Sequence, residues 1–199
     1  MENLKIYSAI DKLNNKIEVK TVNSYEDFKN TITVFRGFPY YETLPDADIK
    51  EEFGLYQDKG IALGAYVNDK IVGLNCIVYE SEDKHSIAFV DPKKVAYYSG
   101  LAVKEECRGL GIAKILVSET DKFLQDLKMF DYEYARILLH GSMSEGIFRL
   151  NGFEDASVKD GLIVDEVGFV RSNTGEYAPD ERKYMVKKLT LNAPDYFRR

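Results

Sequence analysis

The 199-residue sequence lacks long apolar stretches and has few cysteines, and both absences narrow what the protein can be. No run of about eighteen apolar residues occurs, so we expect neither a membrane-spanning helix nor a membrane partner. The two cysteines, Cys76 and Cys107, lie far apart without metal-ligand spacing, so we expect no metal site. The first residues also lack the basic and apolar regions of a signal peptide. Together these features predict a cytoplasmic protein with free thiols.

Acidic residues outnumber basic ones, 33 to 27, which gives a formal net charge of -6. Nucleic-acid binding requires a basic face, so we expect no nucleic-acid partner. The negative charge is compatible with a cationic amine substrate. Apolar residues make up 45% of the chain, enough for a sizeable core, and the length favours one domain.

Hydrophobic periodicity predicts short strands in the first half of the chain and a strand-helix-strand unit after it. This order favours an α/β (α+β) protein with a mixed, mainly antiparallel central sheet, flanked by helices on both faces. The predicted strands cover residues 5–10, 16–22, 61–67, 71–80, 95–103, 131–140, 161–170 and 182–189, and the predicted helices cover 24–36, 46–56, 112–130 and 141–150.

A glycine-containing turn, Arg108-Gly109-Leu110-Gly111-Ile112-Ala113, connects a predicted strand to the longest predicted helix. Glycines permit close approach of a ligand, and backbone N–H groups at the positive end of a helix dipole bind phosphate. Arg108 can add a charge-assisted hydrogen bond. The alternative is that the two glycines only form a strand-to-helix turn. The Lys-Ser/Thr of a P-loop and the glycine spacing of a dinucleotide fingerprint are both missing.

The segments around this turn resemble the GNAT superfamily of acyl-CoA-dependent N-acyltransferases. The resemblance rests on the Arg-x-x-Gly-x-Ala spacing from Arg108, on Leu101-Ala102-Val103 before it, and on Gly152-Phe153 after it. It extends over residues 16–189 and is specific within 96–153. It implies an acetyltransferase domain at 16–190, an N-terminal extension at 1–15 with a short strand packed on the domain, and a tail at 191–199.

By this resemblance the cosubstrate is acetyl-CoA. In the family the central strand splays away from its neighbour, and its exposed edge hydrogen-bonds pantetheine, while the glycine turn binds the diphosphate. Gly100 is the expected site of the β-bulge that opens the strand. The implied cofactor-binding residues are Leu101, Ala102, Val103, Arg108, Gly109, Leu110, Gly111, Ile112, Ala113, Ser142 and Phe148.

The implied reaction is direct attack of a primary amine on the thioester in a ternary complex. An alkylamine with a pKa of about 10.4 is mostly protonated at neutral pH, so a base must take its proton. The candidates are Glu80, Tyr98, Ser99 and His140, and each could instead be a structural residue. Cys107 lies beside the turn, but direct transfer needs no nucleophilic thiol.

The sequence departs from the family at Phe148, where a tyrosine often protonates the leaving thiolate. The family's frequent asparagine at the start of this helix is also missing; Ser142 or Ser144 could replace it or be N-caps. We therefore predict an N-acetyltransferase acting on a small-molecule or peptide amine, with a noncatalytic acyl-CoA-binding or sensor protein as the alternative. A third possibility is an interaction protein that keeps only the fold. A homodimer is possible, because dimers are common in the superfamily.

Overall fold

The computed structural model describes residues 6–32, 34, 44–80, 87–89, 95–138, 143–155, 162–164 and 182–189. The chain forms two compact units. The first contains residues 1–79 and 97–120, and the second contains residues 80–96 and 121–199.

The described strands are β1 (Ile6–Ile10), β2 (Lys16–Thr21), β3 (Gly60–Val67), β4 (Lys70–Glu80), β5 (Ile87–Phe89), β6 (Val95–Val103), β7 (Tyr132–Leu138), β8 (Glu154–Asp155), β9 (Leu162–Val164) and β10 (Arg182–Lys188). The described helices are α1 (Tyr25–Ile32), α2 (Asp46–Lys59), α3 (Ile112–Leu127) and α4 (Met143–Leu150). A 3₁₀ turn, Glu105–Cys107, follows β6.

In the first unit the strand order is β1-β2-β3-β4-β6. The pairs from β1 to β4 are antiparallel. The turn between β3 and β4 contains Asn68 and Asp69 at φ 47° and 59°, which is the conformation of a type I′ hairpin turn. The predicted strands at 61–67 and 71–80 are therefore joined as a hairpin, and the antiparallel sheet is the scaffold of this unit.

Helices pack on both faces of this sheet. Helices α1 and α2 cover one cluster, which includes Phe28, Ile49 and Tyr56. The start of α3 covers the other cluster through Ile112 and Leu116. Ser24 is the N-cap of α1, because its hydroxyl oxygen accepts a hydrogen bond from the Asp27 N–H at 3.1 Å. Mixed α/β structure with mainly antiparallel strands is thus confirmed.

The second unit has the antiparallel strand order β7-β10-β8 and a separate β5–β9 pair. Lys187 of β10 forms ion pairs with Asp121 at 2.9 Å and with Glu133 at 3.6 Å. Glu133 is fully buried, and this lysine supplies an opposite charge for it. The sequence patterns did not predict the short strands β5 and β8 because two or three residues carry no periodic signal.

Several predicted boundaries were wrong by a few residues. Helix α2 continues past the predicted end at Tyr56 to Lys59, and α3 ends at Leu127 instead of near Phe130. Lys128 at φ 52° ends α3, because a left-handed residue cannot continue the helix. Of the strand predicted at 161–170, residues 162–164 are described and form β9, while the rest lies outside the described residues.

Two glycines of the first unit give opposite predictions for stability. A Cβ on Gly60 would lie 2.2 Å from the backbone oxygen of Ile77, whereas a Cβ on Gly54 in α2 would meet no atom within 4 Å. We expect Gly60→Ala to lower the free energy of unfolding by about 3 kcal/mol. We expect Gly54→Ala to raise it by about 1 kcal/mol, because alanine favours the helix. Urea unfolding of both variants measures this, and equal effects would contradict it.

Candidate functional site

The glycine turn, residues 108–113, connects β6 through the 3₁₀ turn to α3. Gly109 and Gly111 adopt φ values of +79° and +89°, which L side chains rarely adopt. A Cβ added to either glycine would meet no atom within 4 Å. The space in front of both residues is therefore open to a ligand.

The backbone N–H groups of this turn lack acceptors within the described part of the chain. The N–H of Cys107 donates to the Lys104 oxygen at 2.9 Å, and that of Arg108 to the Glu105 oxygen at 3.1 Å. The N–H of Ile115 donates to the Gly111 oxygen at 3.0 Å. Between them, six N–H groups donate to no described atom: those of Gly109, Leu110, Gly111, Ile112, Ala113 and Lys114. The last three lie in the first turn of α3, where the helix dipole is positive. This donor set suits an anion such as a diphosphate.

Arg108 adds a positive charge at the entrance of the turn. Its side chain is exposed, and its Nε donates to the backbone oxygen of Val103 at 3.3 Å. This bond directs the guanidinium back along the end of β6. Among the described residues its terminal nitrogens have no partner. They can therefore bind a phosphate oxygen.

The end of β6 has alternating contacts. Leu101 and Val103 pack against the cluster beneath α3, and Ala102 is buried in the cluster beneath α1 and α2. Ser99, however, contacts Tyr56 of α2 and thus lies on the same side as Ala102. In a regular strand residues three apart face opposite sides. This irregularity supports the predicted β-bulge at Gly100, which is a residue that bulges favour.

A polar cluster, Glu52, Tyr56, Cys76 and Ser99, lies next to this part of β6. The Ser99 hydroxyl donates to the backbone oxygen of Cys76 at 3.0 Å, and its oxygen lies 3.1 Å from the Tyr56 hydroxyl. Because serine has one hydroxyl proton, Tyr56 must donate in the second bond. Ser99 is thus held in a hydrogen-bonded chain between α2 and β4.

Glu52 is the carboxylate of the polar cluster. It lies one helical turn before Tyr56 in α2 and is half-buried. Burial, followed by the charge of Asp48, raises the pKa of the Glu52 carboxyl. No cationic side chain within the described ranges pairs with it. Sequence reasoning missed Glu52 and Tyr56; their separation of four residues in a helix was the available signal.

The cysteines are free thiols. Burial, followed by the charge of Glu52, raises the pKa of the Cys76 thiol. Burial, followed by the charge of Glu106, raises the pKa of the Cys107 thiol beside the glycine turn. Since the thiolate is the nucleophile, these shifts reduce the reactivity of both residues.

The other residues predicted from the sequence fall in different places. Tyr98 is buried, with 5% of its surface exposed, and lies one residue before Ser99. Glu80 is the last residue of β4, but its side chain lies outside the described residues. His140 and Ser142 also lie outside them. Which residue accepts the amine proton therefore stays a prediction for Glu80, Tyr98, Ser99 and His140.

Phe148 lies in α4 of the second unit and is 3% exposed. Its ring forms an edge-on contact with Phe153 at a centroid distance of 4.9 Å. Gly152 at φ +84° ends α4, and the N–H of Phe153 donates to the Phe148 oxygen at 3.1 Å. These bonds form a Schellman motif with its hydrophobic contact. The Gly-Phe pair noted in the sequence is therefore the C-terminal cap of α4.

None of the described helices combines the length and apolar character that crossing a bilayer requires. The described residues also contain no group of three or more histidine, cysteine or acidic side chains arranged to hold a metal ion.

The mixed sheet, the open glycine turn and the helix that follows it define the class to which this protein belongs. The family model of the acetyltransferase (GNAT) family matches residues 25–141, more than half of the chain. The chain therefore belongs to the GNAT family, and the predicted resemblance is confirmed. A comparison with curated proteins found no match.

Solved structures agree on the fold. The ribosomal-protein-S18-alanine N-acetyltransferase of Escherichia coli has a TM-score of 0.61 at 10% identity, covering 92% of this chain and 99% of its own. Arabidopsis thaliana NAA60 with a bisubstrate analogue has a TM-score of 0.63 at 17% identity, covering 87% of this chain and 98% of its own. RimL, the ribosomal L7/L12 alpha-N-protein acetyltransferase in complex with coenzyme A, has a TM-score of 0.63 at 10% identity. That match covers 88% of this chain and 96% of RimL. These likenesses show a shared fold.

Proposed function

We propose that this chain is an N-acetyltransferase, of the acyl-CoA-dependent N-acyltransferase class. It transfers an acetyl group from acetyl-CoA to a primary amine of a small molecule or peptide, by direct attack in a ternary complex. The observation that carries this proposal is the run of N–H groups at residues 109–114 without described acceptors. Donors at a helix N-terminus that have no partner within the chain are satisfied by a ligand or by water.

The chain has residues suited to each part of the cosubstrate. The amides of residues 109–113 would bind the diphosphate, and Arg108 would neutralise part of its charge. Backbone groups of Leu101 and Val103 would pair with pantetheine. Bound acetyl-CoA would supply an activated acetyl thioester. The complex of RimL with coenzyme A supports this assignment for a protein of the same fold.

The polar cluster supports proton removal from the amine. Glu52 is a half-buried carboxylate without a described cationic partner, so it can attract an alkylammonium group. Its raised pKa makes it a better proton acceptor near neutral pH than an exposed glutamate. Ser99 of this cluster lies two residues before Leu101 on β6, about 7 Å along the strand. We therefore add Glu52 to the candidate proton acceptors.

The acceptor is proposed as a class only. Two of the solved structures are acetyltransferases of ribosomal proteins, which favours a peptide amino terminus. The net charge of -6 suits a cationic acceptor and does not distinguish a small molecule from a peptide. Cytoplasmic location, the absence of nucleic-acid and membrane partners, and a possible homodimer stay predictions.

The second candidate function is a noncatalytic acyl-CoA-binding or sensor protein. It is favoured by Phe148, a buried side chain with no proton to give at the position where the family often has tyrosine. Binding would then need only the glycine turn. In this case the protein would bind acyl-CoA at the glycine turn without transferring the acyl group.

Two measurements test these functions in sequence. Isothermal titration with acetyl-CoA should give a dissociation constant in the micromolar range that many enzymes have for substrates, roughly 1 μM to 1 mM. Free-thiol release from acetyl-CoA, measured over a panel of peptides and polyamines, should then identify the acceptor. Absence of binding at millimolar acetyl-CoA would contradict both functions. Binding with no thiol release for any amine would favour the noncatalytic one.

A further inference from the structure

The turn that joins β1 to β2, residues 11–15, contacts the glycine turn directly. The Lys12 N–H donates to the backbone oxygen of Leu110 at 3.2 Å. Leu110 lies between the two left-handed glycines. The match to the family model begins at residue 25, so this hairpin turn lies outside the matched region. Its contact is a feature of this chain's own N-terminal segment.

Asp11 holds the hairpin turn in shape. Its Oδ1 accepts the N–H groups of Leu13 at 2.8 Å and Asn15 at 2.9 Å, and its Oδ2 accepts the Asn15 side-chain amide at 2.9 Å. The backbone of Asp11 also bonds to Asn14 and Asn15. Only 6% of Asp11 is exposed. An aspartate with this many bonds acts as a rigid local scaffold.

The bond to Leu110 has a geometric consequence for the next residue. A trans peptide unit is planar, and its C=O and N–H point in opposite directions. The bond from Lys12 therefore fixes the whole peptide between Leu110 and Gly111. The direction of the Gly111 N–H is set by a contact on the other side of that peptide. Without it, Gly111, the flexible residue on one side of this peptide, would let it rotate.

We propose that the hairpin turn at residues 11–15 is a positioning element for the acyl-CoA site, in which Asp11 acts through Lys12 and Leu110 to orient the Gly111 N–H toward the diphosphate. This inference rests on the proposed function. Its benefit is preorganisation: a donor that is already oriented costs less conformational entropy when the ligand binds.

The test compares CoA binding by wild-type protein and Asp11→Ala, using isothermal titration at a temperature where circular dichroism shows both folded. We expect Asp11→Ala to weaken CoA binding about tenfold, the size of a lost oriented hydrogen bond. Binding of pantetheine, which lacks the diphosphate, should not change. In the ligand-free protein, hydrogen exchange of the Lys12 amide should accelerate, because its acceptor contact loosens.

Two further variants separate positioning from general stability. Phe28→Leu, a core substitution on the buried face of α1, should lower stability without changing CoA affinity. The exchange of partners, Asp11→Asn combined with Asn15→Asp, keeps an amide-carboxylate bond and should restore most of the affinity. The positioning inference fails if Asp11→Ala binds CoA as tightly as wild type, or if it loses as much affinity for pantetheine as for CoA. Either result would leave the proposed function intact. If wild-type protein does not bind CoA, the proposed function fails with it.

Discussion

Replacement of Gly111 by valine is expected to abolish CoA binding while the protein stays folded. The substitution places a β-branched side chain in the open space before the turn and forces it into a left-handed φ of +89°. The side chain would occupy the position from which the diphosphate meets the N–H groups of the turn. We expect no heat of binding at millimolar CoA, a loss of at least about a hundredfold for a micromolar ligand.

The matched control is Gly152→Val in the cap of α4. Gly152 has a similar φ of +84°, and a Cβ there would meet only the Lys187 side chain, at 3.7 Å. Both variants therefore carry similar backbone strain, on the order of 1–2 kcal/mol. Only Gly111→Val should lose the ability to bind CoA. Full affinity in Gly111→Val would show that the glycine turn does not bind the cosubstrate.

The turn was predictable because its information is local. A strand, two glycines and an amphipathic helix follow one another within residues 95–127, and the structure has these elements in that order. The Gly-Phe signal was also found, and the structure adds its physical role as the cap of α4. Such signals depend on neighbouring residues, so sequence patterns record them.

The polar cluster was not predictable in the same way. Tyr56 and Ser99 are 43 residues apart, and their hydrogen bond exists only because α2 packs beside β6. The bond from Lys12 to Leu110 likewise joins segments about a hundred residues apart. No periodicity records such pairs. Sequence reasoning could name Ser99 as a candidate, but not the hydroxyl and carboxyl groups that accompany it.

Conversion of Glu52 to glutamine should raise stability and lower activity in the same variant. The raised pKa of Glu52 means that the folded protein binds its proton more tightly than the unfolded chain does. Its favourable contribution is therefore complete below the ordinary glutamate pKa of 4.5 and is lost as pH rises through the folded pKa. At neutral pH the ionised carboxylate opposes folding, and glutamine removes that cost.

We accordingly expect Glu52→Gln to melt at a higher temperature than wild type at pH 7 and at the same temperature below pH 4.5. With an acceptor found in the amine panel, kcat/KM should fall about a hundredfold, as expected for loss of a proton acceptor. Glu51→Gln, on the exposed side of the same helix, should change neither quantity appreciably. Unchanged turnover in Glu52→Gln would return the role to Glu80, Tyr98, Ser99 or His140. Raised stability together with lost turnover would instead show that the Glu52 carboxylate destabilises the fold and is needed for proton transfer.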